Sequence, residues 1–195
     1  MKALYSILLV LLWGAGAQGQ DPHIQRLAQE LQSREQGMRI QAARSLGRVS
    51  QAQSVLLLRQ ALPGERSAAV RLEMVRALRN IAFLRYPGYP EALLVLQQES
   101  SDANEADELV RLKATEALWE AGKKDLLDPV PFLRRNLGDQ SLRLRLASVE
   151  MLRKLGTPST IDALGQAALD QAQPETVRLK AIEALGAAAQ VDPGK

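Results

Sequence analysis

The sequence predicts an all-α protein, a right-handed α-solenoid of about five stacked helical hairpins. Three observations carry this. One amphipathic phrase recurs five times, its copies are spaced at the length of a helical hairpin, and no segment shows the period-2 alternation of a half-buried strand. The chain has 195 residues, of which 46% are hydrophobic and 24% charged, the balance of a folded globular protein.

The first element is read as a targeting segment. Lys2 precedes the apolar run Ala3 to Trp13, and Ala15-Gly16-Ala17 supplies a small-x-small cleavage site before Gln18. The run is well short of the ~20 residues that a spanning helix needs. Residues 1–17 are therefore expected to be a signal peptide, leaving no stable membrane anchor after cleavage. The expected location is periplasmic or extracellular, and a fold without cysteine suits a bacterial periplasm at least as well as a eukaryotic secretory route. Gly14-Ala15-Gly16-Ala17-Gln18-Gly19 matches a dinucleotide-binding pattern, but it lies in the cleavage region and no strands follow to build the parallel sheet.

Residues 18–195 are assigned to one repeat domain, with repeats near 22–50, 51–83, 89–122, 127–156 and 158–190. The phrase copies occupy 38–50, 70–82, 110–122, 144–156 and 177–189. Their shared arginines are Arg39, Arg71, Arg111, Arg145 and Arg178, so the spacings are 32, 40, 34 and 33 residues. That period fits a helical-hairpin solenoid. Within each copy the apolar residues recur at three- and four-residue steps, as at Val110, Ala114, Ala117, Leu118 and Ala121, which places them on one helical stripe. Between the phrases lie the apolar-periodic segments Ile24 to Leu31, Ser54 to Leu62, Pro90 to Leu96, Val130 to Leu137 and Thr160 to Leu169. Breakers such as Asp21-Pro22, Pro63-Gly64, Pro87-Gly88, Asp128-Pro129, Gly138 and Thr157-Pro158 bound them. Each repeat thus reads as first helix, turn, phrase helix, turn. The 40-residue spacing is expected to be absorbed by loop insertions around Tyr86 to Tyr89 and Ser100 to Glu108.

Val177-Arg178-Leu179-Lys180-Ala181-Ile182-Glu183-Ala184-Leu185-Gly186 reads V-R-x-x-A-x-x-A-L-G. This phrase resembles the second helix of HEAT repeats, particularly the short bacterial kind also found in phycobilisome lyases, and the resemblance covers residues 22–190. It implies second helices lining a concave face, and an arginine paired with an acid about six positions earlier. By that rule Glu65, Glu105 and Asp139 serve Arg71, Arg111 and Arg145. Ser33 and Ala172 leave Arg39 and Arg178 without partners, so the ladder is expected to be incomplete at both ends.

Most catalytic chemistry is short of reagents. Cysteine is absent and His23 is the one histidine, which removes thiolate zinc sites, a cysteine nucleophile and a histidine cluster. His23 is read as an exposed residue opening the first helix, because no nucleophile lies at a telling spacing. Asp102 to Glu108 begins like a calcium loop, but Ala106 and Lys113 occupy positions where that loop needs ligands. No catalytic, cofactor or metal site is expected. Twenty-five basic against 22 acidic side chains give a net charge of only +3, which exerts no strong pull on nucleic acid. Five aromatics follow the signal segment, too few for a stacking platform. Among them Trp119 takes the column of Gly47, Arg79, Arg153 and Gly186. It reads either as packing between repeats or as an aromatic anchor for a partner, and Tyr86 and Tyr89 as packing of an irregular turn.

The expected function is an exported, non-enzymatic scaffold that binds another protein on its concave face. The alternatives are a bilin-handling or related lyase, which the resemblance brings in and export opposes, and a nucleic-acid-binding solenoid. One outward column runs Arg44, Arg76, Glu116, Glu150, Glu183, and another Arg48, Asn80, Glu120, Lys154, Ala187. Together they describe a groove basic in its N-terminal half and more acidic beyond, suited to orienting a partner by charge. N-terminal sequencing of exported protein should begin at Gln18, and a start at Met1 would overturn the signal reading.

Overall fold

The structure, a computed structural model, describes residues 21–101, 103 and 105–189; the expected signal peptide lies outside them. Ten α-helices form among the described residues, with no strand. The first helices of the hairpins are α1 (Pro22–Glu30), α3 (Ala52–Ala61), α5 (Tyr89–Glu99), α7 (Val130–Asn136) and α9 (Pro158–Leu169). The second helices are α2 (Gln36–Leu46), α4 (Ala68–Phe83), α6 (Glu108–Gly122), α8 (Leu142–Leu155) and α10 (Glu175–Ala189).

Every second helix starts three residues before its shared arginine, two residues earlier than the apolar phrase alone indicates. The reason lies in the residue one step further back. Ser67 accepts from the Val70 N–H, Asp107 from those of Leu109 and Val110, and Ser141 from that of Leu144. These caps satisfy amide groups that the first helical turn leaves without partners. Proline opens or nearly opens all the first helices except α3, where its preset φ suits the first turn. The C-termini of α4 and α6 close with paired bonds of the Schellman type, from Tyr86 N–H to Ile81 C=O and from Leu126 N–H to Ala121 C=O. Arg85 and Asp125 take the left-handed position that such caps require.

The helices stack in two layers. Second helices lie along one another in the order α2, α4, α6, α8, α10, whereas first helices touch their like neighbours more sparsely. Closer spacing in one layer makes that layer the inner side of the bend, so the second helices line the concave face. Alanine and glycine permit the closeness. A Cβ added at Gly47 would stand 2.7 Å from Ala77 Cα.

The 40-residue spacing is accommodated only in part as expected. The turn from Leu84 to Gly88 is no longer than the one from Gly47 to Gln51. The extra chain lies in α4, which runs for 16 residues against 11 in α2, and, as expected, in the segment 100–107. Phe83, Tyr86 and Tyr89 are half-buried against the core at this corner, so helix continuation there gains apolar burial that a longer loop would forgo.

The apolar core is not continuous. One cluster runs from Ile24 to Ala121 and a second from Val130 to Ala184. Each sends one aromatic across the boundary: Phe132 packs against the first cluster and Trp119 against the second. Gly47→Ala should lower stability by about 1–3 kcal/mol, the range for overpacking a close contact, because the opposing atoms are helix backbone. Gly37→Ala, where a new Cβ meets nothing within 4 Å, should not destabilise; chemical denaturation of both variants checks this.

Candidate functional site

The shared arginines form the polar spine of the solenoid, with partners shifted by one repeat from the expectation. Arg39 grips Glu65, through Nε to Oε2 at 2.6 Å and Nη2 to Oε1 at 3.1 Å. Arg71 grips Glu105 in the same way at 2.7 and 3.1 Å, and Arg111 grips Asp139 at 3.0 and 2.9 Å. Each arginine therefore takes the carboxylate of the following repeat. The residue six positions earlier in its own repeat offers its backbone carbonyl instead: Ser33 for Arg39, Glu65 for Arg71 and Glu105 for Arg111, all bonded to Nη1. The planar fork suits this double duty.

The same carboxylates hold their own loops. Glu65, Glu105 and Asp139 each accept the N–H two residues on, at Ser67, Asp107 and Ser141, which are the capping residues of the second helices. Two expectations are thereby corrected. Arg39 has its acid, so the ladder is complete at the N-terminal end. At the other end Arg145 meets uncharged Gln173 at 3.3 Å, and Arg178 bonds Gln171 at 2.8 Å.

The ladder is deepest where the two apolar clusters meet. Arg111 and Asp139 are 1% and 2% exposed, Asn136 donates to Thr115 at 2.8 Å, and Arg135 donates to Ser100 at 2.7 Å. Hydrogen-bonded polar groups thus carry the junction between the third and fourth repeats. Trp119 sits there half-buried, with Lys123 at 4.7 Å and Lys154 at 5.8 Å from its ring, so packing between repeats describes it. Its indole N–H is buried without a partner among the described residues.

The expected charged columns carry ion pairs along the concave side. Arg44 and Arg76 share Glu73, at 3.1 and 3.2 Å. Glu116 pairs with Lys113, Glu120 with Arg79, Glu150 with Arg153 and Lys154, and Glu183 with Lys180. Arg48 and Asn80 are exposed, and Arg48 carries no ion pair among the described residues. The structure therefore joins Glu150, Lys154 and Trp119 in one cluster and ties Arg44 to Arg76 through a nearly buried acid. Sequence reading of outward columns included Lys113 but missed Glu73, Arg79 and Arg153. For Glu73 and Arg153, opposite charge at i, i+3 spacing to Arg76 and Glu150 was the available signal, whereas Arg79 meets Glu120 only across helices.

Hydrogen bonds and nearby arginines lower the titrations of Glu65 and Glu73 against the opposing effect of burial, and two other carboxylates are displaced further. Hydrogen bonding to Arg153 holds Glu150 down at about 2. Burial, with Glu105 nearby, pushes Glu99 up to about 7 against the partial offset of Arg71. No group of three or more potential metal-ligating side chains occurs among the described residues, and Glu105 and Asp107 of the calcium-like stretch serve the ladder and the α6 cap. Asp102 and Asn104 lie outside the described residues. No described helix is long and apolar enough to cross a membrane.

Paired helices stacked in two layers and joined by a repeating polar spine define an α-solenoid repeat protein. The family model for HEAT repeats matches residues 24–105 and 100–186, and the chain belongs to that family. A search of curated proteins finds no match. Among solved structures the chain is similar to human deoxyhypusine hydroxylase in complex with glycerol, at 21% identity, covering 89% of this chain and 76% of that one with a TM-score of 0.37. That degree of likeness lends no weight to any activity here.

Breaking the buried pair should cost most. Asp139→Ala is expected to destabilise by about 3–5 kcal/mol, since it strands a buried guanidinium, whereas Gln173→Ala removes a long bond from the half-buried Arg145 and one to Leu137 C=O, together about 1–2 kcal/mol. Urea titrations of both variants read the difference. Glu99 gives a pH test. Between about 4.5, its ordinary value, and about 7 the folded chain keeps a proton that the unfolded chain has released, so stability falls as pH rises through that window. Glu99→Gln should match the parent at pH 4 and exceed it at pH 8 by up to about 3 kcal/mol, at about 1.4 kcal/mol per unit.

Proposed function

We propose that the chain is an exported, non-enzymatic scaffold that binds another protein along its concave face. The single observation that carries this reading is the face itself: a row of second helices held in register by buried arginine forks, each presenting charged side chains at repeating positions. Such a surface recognises an extended partner by shape and charge without a chemical centre, and repeat arrays offer it readily. The ion pairs modify the expected bipolar field. Each acid of the C-terminal half has a basic neighbour, so the acidic pole is largely neutralised. Arg48, together with the excess of Arg44 and Arg76 over Glu73, leaves the N-terminal half basic. The partner segment that fits there is acidic, and the charge guides its approach more than it adds affinity.

Exported protein cross-linked in place and identified by mass spectrometry supplies the partner for the test. Reversing Arg44 as well as Arg76 would leave buried Glu73 without a cation, so the informative variant is Arg48→Glu with Arg76→Gln. Its association rate with the recovered partner should fall several-fold at low salt, with a shallower salt dependence. An unchanged rate in a folded variant would remove the concave face from consideration. Visible absorbance by the purified protein would favour the bilin alternative, and a salt-dependent shift with DNA the nucleic-acid one.

A further inference from the structure

The junctions of the solenoid are not alike. On the convex side ion pairs tie neighbouring first helices on both flanks of the centre: Arg59 of α3 holds Glu91 of α5, and Arg134 of α7 holds Asp162 of α9. Between α5 and α7 no ion pair forms among the described residues, and these two touch least of the neighbouring first helices. An open groove of about 310 Å³ lies along α5 there, with Leu94, Val95 and Gln98 on one wall and Arg135 of α7 on the other. Arg135 spans it, donating to Gln97 C=O at 3.3 Å and to Ser100 Oγ at 2.7 Å.

The concave layer thins at the same place. The helices α6 and α8 lie against each other more sparsely than any other successive second helices. The apolar clusters part here, and four kinds of contact remain: the Arg111–Asp139 fork, the Asn136–Thr115 bond, a long exposed pair of Arg143 with Glu108 at 3.8 Å, and the crossings of Phe132 and Trp119. Interdigitated apolar side chains resist rotation, because close-packed contacts must rearrange together. A fork on a single carboxylate keeps its bonds while the helices around it turn. Few apolar contacts and low local density mark the places where a fold gives first.

We propose that the chain is two rigid bodies, repeats one to three and repeats four and five, joined by a hinge at this junction. The Arg111–Asp139 fork is the pivot, and Arg135 is the latch that holds α7 over the convex groove. Releasing Arg135 exchanges its bonds to two neutral oxygens for bonds to water, so the latch opens at small cost. The helices α5 and α7 then part, and the curvature of the array changes at one place instead of evenly along its length. The hinge rests on the packing of this junction and stands whether or not the concave face binds a partner.

The chain has no cysteine, so a pair of introduced thiols takes spin labels without interference. Asn80→Cys with Thr157→Cys spans the junction, and Arg48→Cys with Lys124→Cys spans an equal number of repeats inside the first body; all these positions are exposed. Pulsed dipolar distance measurements on the full chain should give a distribution across the junction about twice as wide as the one within the first body. Arg135→Ala should widen the first distribution and leave the second unchanged. Gln98→Glu, which offers Arg135 a carboxylate as Glu91 does for Arg59, should narrow the first. Arg59→Ala removes the corresponding link inside the first body and should change neither. Equal widths in the parent chain overturn the proposal, as does a width across the junction that responds to neither Arg135→Ala nor Gln98→Glu. If Arg59→Ala widens the second distribution as much as Arg135→Ala widens the first, bending belongs to every junction and the hinge is withdrawn.

Discussion

The arginine fork is the constraint on which the rest of the solenoid depends. Each guanidinium in the first three repeats binds backbone oxygen in its own loop and carboxylate oxygen in the next, so one planar group fixes both a turn and the register between repeats. The carboxylate it holds also accepts the N–H of a capping residue. Loop geometry, the start of each second helix and the spacing of adjacent hairpins are therefore linked. Apolar stripes alone would bring helices together without choosing how far one slides along the other. Desolvating the fork is costly, and its two-sided hydrogen bonding offsets that cost.

The spine also explains why a broken core still makes one array. Between the third and fourth repeats the apolar clusters separate, and Arg111, Asp139, Thr115 and Asn136 occupy the boundary with their hydrogen bonds made. Neighbour-by-neighbour stability of this kind is characteristic of linear arrays, in which each interface contributes its own share. Here the shares differ in character, since most interfaces are apolar with one polar fork and this one is largely polar. Phe132 and Trp119, each reaching into the opposite cluster, restore part of the apolar continuity.

Charge on the concave side is organised by the same stacking. A basic residue and an acid that look unrelated in the chain, such as Arg79 and Glu120, become neighbours because successive second helices lie side by side. Pairing across helices leaves the outer row less polarised than any single column implies. It also holds long side chains in place, so a binding partner meets a surface with less motion to suppress.

Helical periodicity, the alternation of two helix types and the repeat length were legible in the sequence, because each is a local property that recurs within one turn or one hairpin. The positions of Arg44, Arg48, Arg76 and Glu116 as outward-facing residues followed from the same periodicity. Local signals also existed for the caps at Ser67, Asp107 and Ser141, one residue before the observed helix starts, though the apolar phrase drew the boundary too late. Which acid serves which arginine was a different matter. Glu65 lies six residues from Arg71 and 26 from Arg39, yet it gives Arg71 only its carbonyl and Arg39 its carboxylate. Chain proximity brings the backbone near, while the direction of the side chain is set by the preceding repeat packed behind it. For the same reason the burial of Glu73, the bridging position of Trp119 and the extension of α4 emerge only when hairpins stack. The sequence by itself determined the repeating unit and its helical faces; the tertiary structure decided the partners, because side chains pair according to which repeat lies beside them and not according to distance along the chain.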